Sequence, residues 1–115
     1  MEDTLVCAKM LAKVMNKFGL ETNISENGDQ AVKIIKEHPT DYAIIFMDNK
    51  MPVMNGLDAS RTIRSIGYDG PIIGVTGNVL DDDIECFLKN GVNEVLSKPV
   101  KEKVLGQTLL KYRLI

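Results

Sequence analysis

The stretch IIFMDNKMP occupies residues 44–52 and carries four apolar residues straight into Asp48, with Pro52 four positions later. The apolar and β-branched run at residues 42–47 is typical of a strand that is buried on both faces of a parallel sheet. Asp48 therefore stands at the carboxyl end of a buried strand, where the chain turns at once. The rest of the sequence decides whether this carboxylate is a simple cap or part of a functional site.

Helical and strand patterns alternate on both sides of this stretch. The first predicted helix spans residues 4–18, with apolar residues at every fourth position from Val6 to Phe18. Further helices are predicted from residue 28 to before Pro39, at 56–66, at 81–90 and at 101–112, and strands at 20–25, 42–47, 72–75 and 94–96. This alternation favours an α/β domain with a mostly parallel sheet.

Length and composition indicate one soluble domain over residues 1–115, with 44% hydrophobic and 26% charged residues. The net charge of −2 provides no basic surface for nucleic acid or an anionic membrane. No apolar run reaches the about 18 residues of a membrane span, and no signal-peptide pattern opens the chain. We therefore expect a cytoplasmic protein, with Cys7 and Cys86 as reduced thiols packed like small hydrophobic residues.

Polar residues follow the predicted strands at one edge of the sheet. Asp48, Thr76 and Lys98 each come directly after a strand, and Glu2 and Asp3 precede the first helix. In open parallel sheets ligands bind beyond the carboxyl ends of the strands, so we expect these residues to gather there. Three carboxylates at one place repel one another unless a cation neutralises them.

The residue types in this group suit phosphoryl transfer. Mg²⁺ typically takes one or two carboxylates together with waters and phosphate oxygens. Lys98 can pair with a carboxylate or a phosphoryl oxygen, and Thr76 adds a short hydroxyl donor. An aspartate in such a site can itself act as the nucleophile and form an aspartyl-phosphate.

Four motifs in this order resemble the receiver domain of two-component response regulators and hybrid histidine kinases. They are the acidic pair Glu2-Asp3, FMDNKMPVMNG at 46–56, GVTG at 74–77 and LSKPV at 96–100. The resemblance covers nearly the whole chain. It implies a flavodoxin-like, doubly wound parallel sheet with helices on both faces.

The resemblance also implies a role for each site residue. Asp48 would accept a phosphoryl group from a phosphohistidine, and Glu2, Asp3, Asp48 and the backbone carbonyl of Lys50 would hold Mg²⁺. Thr76 would hydrogen-bond the phosphoryl group, and Lys98 would pair with Asp48 or its phosphate. The Lys98-Pro99 bond would be cis. Such a domain assists its own phosphorylation and dephosphorylation but is not an enzyme, and its partner is a histidine kinase or a histidine phosphotransfer protein.

The chain departs from this family at its start. Receivers open with a central hydrophobic strand that delivers the acidic pair, whereas only Met1 precedes Glu2, so the first central strand is expected to be missing. Residues 112–115 could fill the gap, within the chain or in a dimer through the incomplete sheet, although we favour their finishing the last helix. The chain is then either a stand-alone receiver or part of a hybrid kinase, and the resemblance favours the second.

A second departure is Val95, three residues before Lys98, where many receivers have an aromatic residue that rotates on phosphorylation. Valine has little rotamer freedom, so we expect a muted or differently routed output.

Three other classes compete with this interpretation. A haloacid-dehalogenase-type enzyme also uses an aspartate after a strand, but it needs a second aspartate where this chain has Lys50. A flavin- or nucleotide-binding domain would need a glycine-rich phosphate loop, and neither GxGxxG nor GxxxxGK[ST] occurs. A degenerate receiver that only binds partners is disfavoured by the presence of Asp48, Thr76 and Lys98 together.

Overall fold

A computed structural model describes residues 3–7, 9–48, 55–77, 81–98 and 100–113. The strands in this part of the chain are β1 (Asp3–Val6), β2 (Thr22–Ile24), β3 (Tyr42–Asp48), β4 (Ile72–Thr76) and β5 (Glu94–Ser97). The helices are α1 (Lys9–Lys17), α2 (Gly28–Glu37), α3 (Gly56–Ile66), α4 (Asp81–Lys89) and α5 (Glu102–Lys111). The strands form one parallel sheet in the order β2-β1-β3-β4-β5. The predicted flavodoxin-like α/β fold is confirmed.

The core has two parts because side chains of successive strand residues point to opposite faces of the sheet. Ile45 and Met47 of β3 pack on one face with residues of α2, α3 and α4, such as Ile35, Ile63 and Phe87. Ile44 and Phe46 pack on the other face with α1 and α5. Both faces of β3 are therefore covered, as its apolar sequence predicts.

Local sequence signals set the ends of the helices. Asn27 and Asn55 precede α2 and α3, and each side-chain oxygen accepts a hydrogen bond from the backbone three residues on. Gly67 ends α3 in the left-handed conformation, with φ of 112°. These caps place α3 between the loop after Asp48 and the start of β4.

The expectation of a missing central strand is wrong. Where one helix was predicted over residues 4–18, Asp3–Val6 form β1 and Lys9–Lys17 form α1, and β1 lies between β2 and β3. Leu5 joins one half of the core and Val6 the other, so this segment is buried on both faces, which a single amphipathic helix would not achieve. The four-residue apolar spacing suited both structures, and the need to fill the sheet decided between them.

The proposals that depended on an incomplete sheet lose their basis with this finding. Tyr112 caps the end of α5, which agrees with the interpretation that the last residues finish this helix. Leu114 and Ile115 lie outside the described residues. A dimer formed to complete the sheet is no longer needed, because β1 occupies that position.

The end of α5 is tied to the start of β5 by polar contacts. The Tyr112 hydroxyl donates to Glu94 Oε2 at 2.5 Å, and Lys111 Nζ lies 3.1 Å from the same oxygen. The hydrogen bond from Tyr112 is the main cause of a lowered pKa of the Glu94 carboxyl, and Lys111 adds to it. Burial and the bond to Glu94 raise the pKa of Tyr112 to about 12.

We predict that Tyr112→Phe lowers the free energy of unfolding at pH 7 by about 1 kcal/mol, since it removes a hydrogen bond to a charged group. A lowered pKa in the folded state stabilises the protein above the unfolded pKa of about 4.5, and this stabilisation is lost as pH falls through the folded value. The difference between Tyr112→Phe and wild type should therefore shrink below pH 4.5. Urea unfolding from pH 3.5 to 7 measures it, and a pH-independent difference would contradict the assignment.

Thr4 gives a second stability prediction. Its side chain is 1% exposed in β1, and its Oγ1 has no hydrogen-bond partner among the described residues. We expect Thr4→Val to raise the free energy of unfolding by about 1 kcal/mol, because an unpaired buried hydroxyl is replaced by a methyl group. The matched control is Thr108→Val, whose buried hydroxyl donates to Val104 O at 3.0 Å and whose loss should destabilise. Denaturant unfolding of both variants measures the two signs, and destabilisation by Thr4→Val would contradict the burial of β1.

Candidate functional site

The carboxyl ends of the parallel strands lie at one edge of the sheet, called here the carboxyl edge. Asp48 is the last residue of β3 and Thr76 the last of β4. Cys7, Ser25 and Lys98 follow β1, β2 and β5 directly. The sequence-predicted group of Asp48, Thr76 and Lys98 is therefore brought to one edge, as expected of a doubly wound sheet.

An ion pair joins two of these residues across the sheet. Lys98 Nζ lies 2.7 Å from Asp48 Oδ2, and the two side chains are 26% and 14% exposed. Because β4 separates β3 from β5, the lysine side chain bridges two strand spacings of about 4.8 Å each. A long, flexible ammonium side chain is suited to this reach.

Thr76 lies on β4 between these two partners. Its residue is 3% exposed, its backbone is paired with Ser97, and its carbonyl accepts a hydrogen bond from Lys98 N at 2.8 Å. The register places Asp48 opposite Val75, so Thr76 lies one residue beyond Asp48 toward the carboxyl edge. A carboxylate, a hydroxyl and an ammonium group are thus presented by three adjacent strands.

The structure does not bring Asp3 to this group. Asp3 begins β1 and is paired with Tyr42, which begins β3, whereas Asp48 ends β3. The two positions are six residue steps apart along β3, a distance of about 20 Å. The reason is that residues 3–6 serve as the central strand and so cannot also follow it. Glu2, the carbonyl of Lys50 and the Lys98-Pro99 bond involve residues outside the described ranges.

Sequence reasoning missed Cys7 and Ser25 at this edge. Cys7 N donates to Phe46 O at 2.8 Å, and Ser25 N donates to Val6 O at 2.9 Å, which fixes both residues against the sheet. The pKa of the Cys7 thiol is raised to about 12, mainly by burial; the charge of Asp48 also raises it, and a hydrogen bond with Ser25 partly offsets the increase. The signal was their position directly after a strand. The prediction of a helix over residues 4–18 concealed it for Cys7, and the predicted strand at 20–25, which included Ser25, concealed it for Ser25.

The thiols differ in exposure. Cys7 is buried, as predicted, but Cys86 is exposed on α4, so the prediction that it packs as a core residue is wrong. Neither is in a disulfide. Within the described ranges no three His, Cys, Asp or Glu residues form a cluster that could hold a metal ion. No helix among these residues is long and apolar enough to cross a bilayer.

Residues 1–110 match the family described as "Response regulator receiver domain". The chain belongs to this family. A receiver is a signalling module rather than a turnover enzyme, and receivers act together with histidine kinases. The resemblance based on the four sequence motifs is therefore confirmed at the level of the family.

Relatives and a solved structure agree with this assignment. The two-component response regulator ORR41 of Oryza sativa is 38% identical over 90 residues, which are 78% of this chain and 71% of that protein. Two-component system protein A of Emericella nidulans is 35% identical over 112 residues, which cover 96% of this chain and 16% of that protein. The chain thus spans about a sixth of this fungal relative.

The sheet and helices also superpose on the receiver domain of a sensor histidine kinase from Pseudomonas aeruginosa. The TM-score is 0.86 at 28% identity, and 96% of each chain is covered. That crystal structure has a magnesium ion coordinated in its active-site cleft. A receiver related to this chain therefore holds Mg²⁺ in its active site.

The thiols provide a test of the placement of β1. We predict that a chromogenic disulfide reagent modifies Cys86 rapidly in the folded protein and Cys7 at least about a hundredfold more slowly, because Cys7 is buried and its pKa is raised. Cys86→Ser is the control, and it should leave only the slow reaction. Denaturant should make both thiols react. Rapid labelling of Cys7 in folded Cys86→Ser would contradict its position after a central strand.

Proposed function

We propose that this chain is a phosphoacceptor domain of a two-component phosphorelay, in which Asp48 receives a phosphoryl group from a phosphohistidine. The observation that carries the proposal is the 2.7 Å contact between Lys98 Nζ and Asp48 Oδ2 at the carboxyl edge of a receiver fold. A half-buried ammonium beside the Asp48 carboxylate is a suitable partner for the additional negative charge of a phosphoryl group.

The proposed transfer uses the residues as follows. An oxygen of the Asp48 carboxylate attacks phosphorus, the new P–O bond forms, and the P–N bond to the histidine breaks. The electron pair of that bond stays on the imidazole, which leaves as the unphosphorylated side chain. Lys98 pairs with a phosphoryl oxygen once the carboxylate is esterified, and the Thr76 hydroxyl donates to another. Charge neutralisation and positioning are the main contributions of the protein.

A magnesium ion fits this edge only in part. Asp48 is the one predicted carboxylate ligand that the described residues place there, and Asp3 begins β1 at the opposite edge. Mg²⁺ often keeps several waters and uses one or two carboxylates together with phosphate oxygens, so Asp48 with the phosphoryl group can hold it. When bound, the ion would neutralise charge on the phosphoryl oxygens.

The output of the domain would be a change in a partner-binding surface that begins at Thr76. Val95 of β5 lies opposite Gly74 of β4 and packs against the half of the core that contains α4. It is a β-branched residue with a restricted χ1 angle, which supports a muted or differently routed switch at this position. The whole protein's partners would be a histidine kinase or a histidine phosphotransfer protein.

A second candidate is a receiver that binds partners without phosphorylation. The placement of Asp3 away from Asp48 favours it, because the site then lacks one of the predicted carboxylate ligands. Phosphorylation chemistry discriminates the two functions.

We predict that beryllofluoride, which stands in for the phosphoryl group, binds to Asp48 in the presence of Mg²⁺. Backbone amide shifts should saturate at Asp48, Thr76 and Lys98 in the wild type and be absent in Asp48→Ala. Asp41→Asn, a change just before the other end of β3, is the control and should respond like the wild type. A folded wild type that shows no response would favour the second candidate.

We also predict that Mg²⁺ binding depends on Asp48 and not on Asp3. Titration followed by amide shifts at Thr76 and Lys98 should give the same dissociation constant for Asp3→Asn as for the wild type, since Asp3 lies about 20 Å from Asp48. Asp48→Asn should abolish the saturable response. An equal loss in Asp3→Asn would show that the acidic pair reaches the site after all.

A further inference from the structure

The amino ends of the strands, at the edge opposite Asp48, are tied together by Arg64 at the end of α3. Its Nε donates to Gly91 O at 2.8 Å, and its Nη1 donates to Tyr68 O at 2.9 Å and Gly70 O at 2.7 Å. Its Nη2 donates to Asn93 Oδ1 at 2.7 Å. A guanidinium group has donors in a fixed plane, so four such bonds define the relative positions of the groups that accept them.

The acceptors belong to two different connections of the fold. Tyr68 and Gly70 lie between α3 and β4, whereas Gly91 and Asn93 lie between α4 and β5. Asn93 extends the tie, because its Oδ1 also accepts from Ile72 N at 2.9 Å and its backbone N donates to Ile72 O at 2.8 Å. The turn that follows the C-terminal end of α4 is therefore bonded to α3 and to the first residue of β4.

Gly91 permits this close approach. Its φ is 94°, in the left-handed region, and a Cβ atom there would lie 2.5 Å from Arg64 Cγ. A side chain at this position would both strain the backbone and displace the arginine. The contact between Arg64 and the turn after α4 thus depends on a residue without a side chain.

The same end of α4 is packed firmly on the sheet. Phe87, in its last turn, is 0% exposed, and a Cβ added to Gly74 of β4 would lie 3.2 Å from the Phe87 ring. The backbone N atoms of Asn90 and Val92 both donate to Phe87 O, at 3.1 and 3.2 Å. Aromatic packing and hydrogen bonds therefore fix the same few residues.

The carboxyl edge is held differently. There, the Asp48–Lys98 ion pair has to rearrange when Asp48 is esterified, whereas the hydrogen bonds of Arg64 involve no group that changes charge. A displacement of α4 that begins on the side of Thr76 would therefore be resisted at Gly91, where the turn after α4 is held by Arg64.

We infer that Arg64 makes the C-terminal end of α4 a fixed pivot, so that α4 responds to phosphorylation by rotating about its last turn instead of shifting as a whole. The rotation rests on the proposed phosphoacceptor function, but the anchor is present without it. The consequence is that structural change is largest near Thr76 and fades toward Gly91.

Hydrogen–deuterium exchange of the unmodified protein tests the anchor. Arg64→Met keeps the aliphatic stem beside Gly91 but removes all four hydrogen bonds, so exchange at residues 90–93 should rise about tenfold or more. Arg64→Lys, which retains the charge and fewer donors, should give an intermediate increase. Arg61→Met is the matched control on the same helix, because Arg61 is exposed and pairs with Asp58. Unchanged exchange at 90–93 in both Arg64 variants would overturn the inference.

Beryllofluoride titration tests the rotation. In the wild type, amide shift changes along α4 should decline from Ile84 to Asn90 and be near zero at 91–93, and in Arg64→Met they should extend to these residues. Equal shifts throughout α4 and at 91–93 in the wild type would overturn the pivot, whatever the variants do. No saturable shift at Thr76 and Lys98 would instead refute the phosphoacceptor function, and the exchange measurement would still decide the anchor.

Discussion

The burial of β3 on both faces is the constraint on which the rest of the structure depends. Ile44, Ile45, Phe46 and Met47 are all fully buried, and they divide alternately between the two halves of the core. A strand of this kind needs neighbours on both sides and helices above and below it. The position of Asp48 follows, because the residue after this run is the first that can leave the core at the carboxyl edge.

The sequence predicted the sheet, four of its strands and the group of Asp48, Thr76 and Lys98 at its carboxyl edge, because these depended on apolar runs and on residues that follow strands. Asp48, Thr76 and Lys98 follow strands that are apolar enough to be recognised alone. From β2 onward, the order of helices and strands was correct for the same reason. The sequence pattern was sufficient to predict an element wherever the pattern was compatible with only one kind of secondary structure.

The pattern of residues 4–18 was compatible with one helix and with a strand followed by a helix, and the local sequence could not distinguish these two structures. Its apolar spacing fits a helix face, but the sheet also needs a strand between β2 and β3, a requirement visible only once the other strands are in place. Because this segment begins with a strand, Asp3 lies at the edge formed by the amino ends of the strands, and Cys7 lies at the carboxyl edge. The hydrogen bonds of Arg64 were also beyond sequence reasoning, since their acceptors are three backbone carbonyls and the Asn93 side chain, from two separate turns.

The span of Lys98 over β4 has a consequence for how a signal can leave the site. Four methylene groups with free torsions connect the ammonium to a backbone that is itself bonded to Thr76. In the proposed phosphoacceptor function, the ammonium can follow a phosphoryl group on Asp48 by changing rotamers, while β5 keeps its register. The flexible lysine side chain then adapts to the modification of Asp48 without moving the backbone of β5. A conformational change that leaves the site therefore has to be transmitted by a shorter side chain with fewer torsions. At this edge of the sheet the adjacent side chain of that kind is the β-branched Thr76.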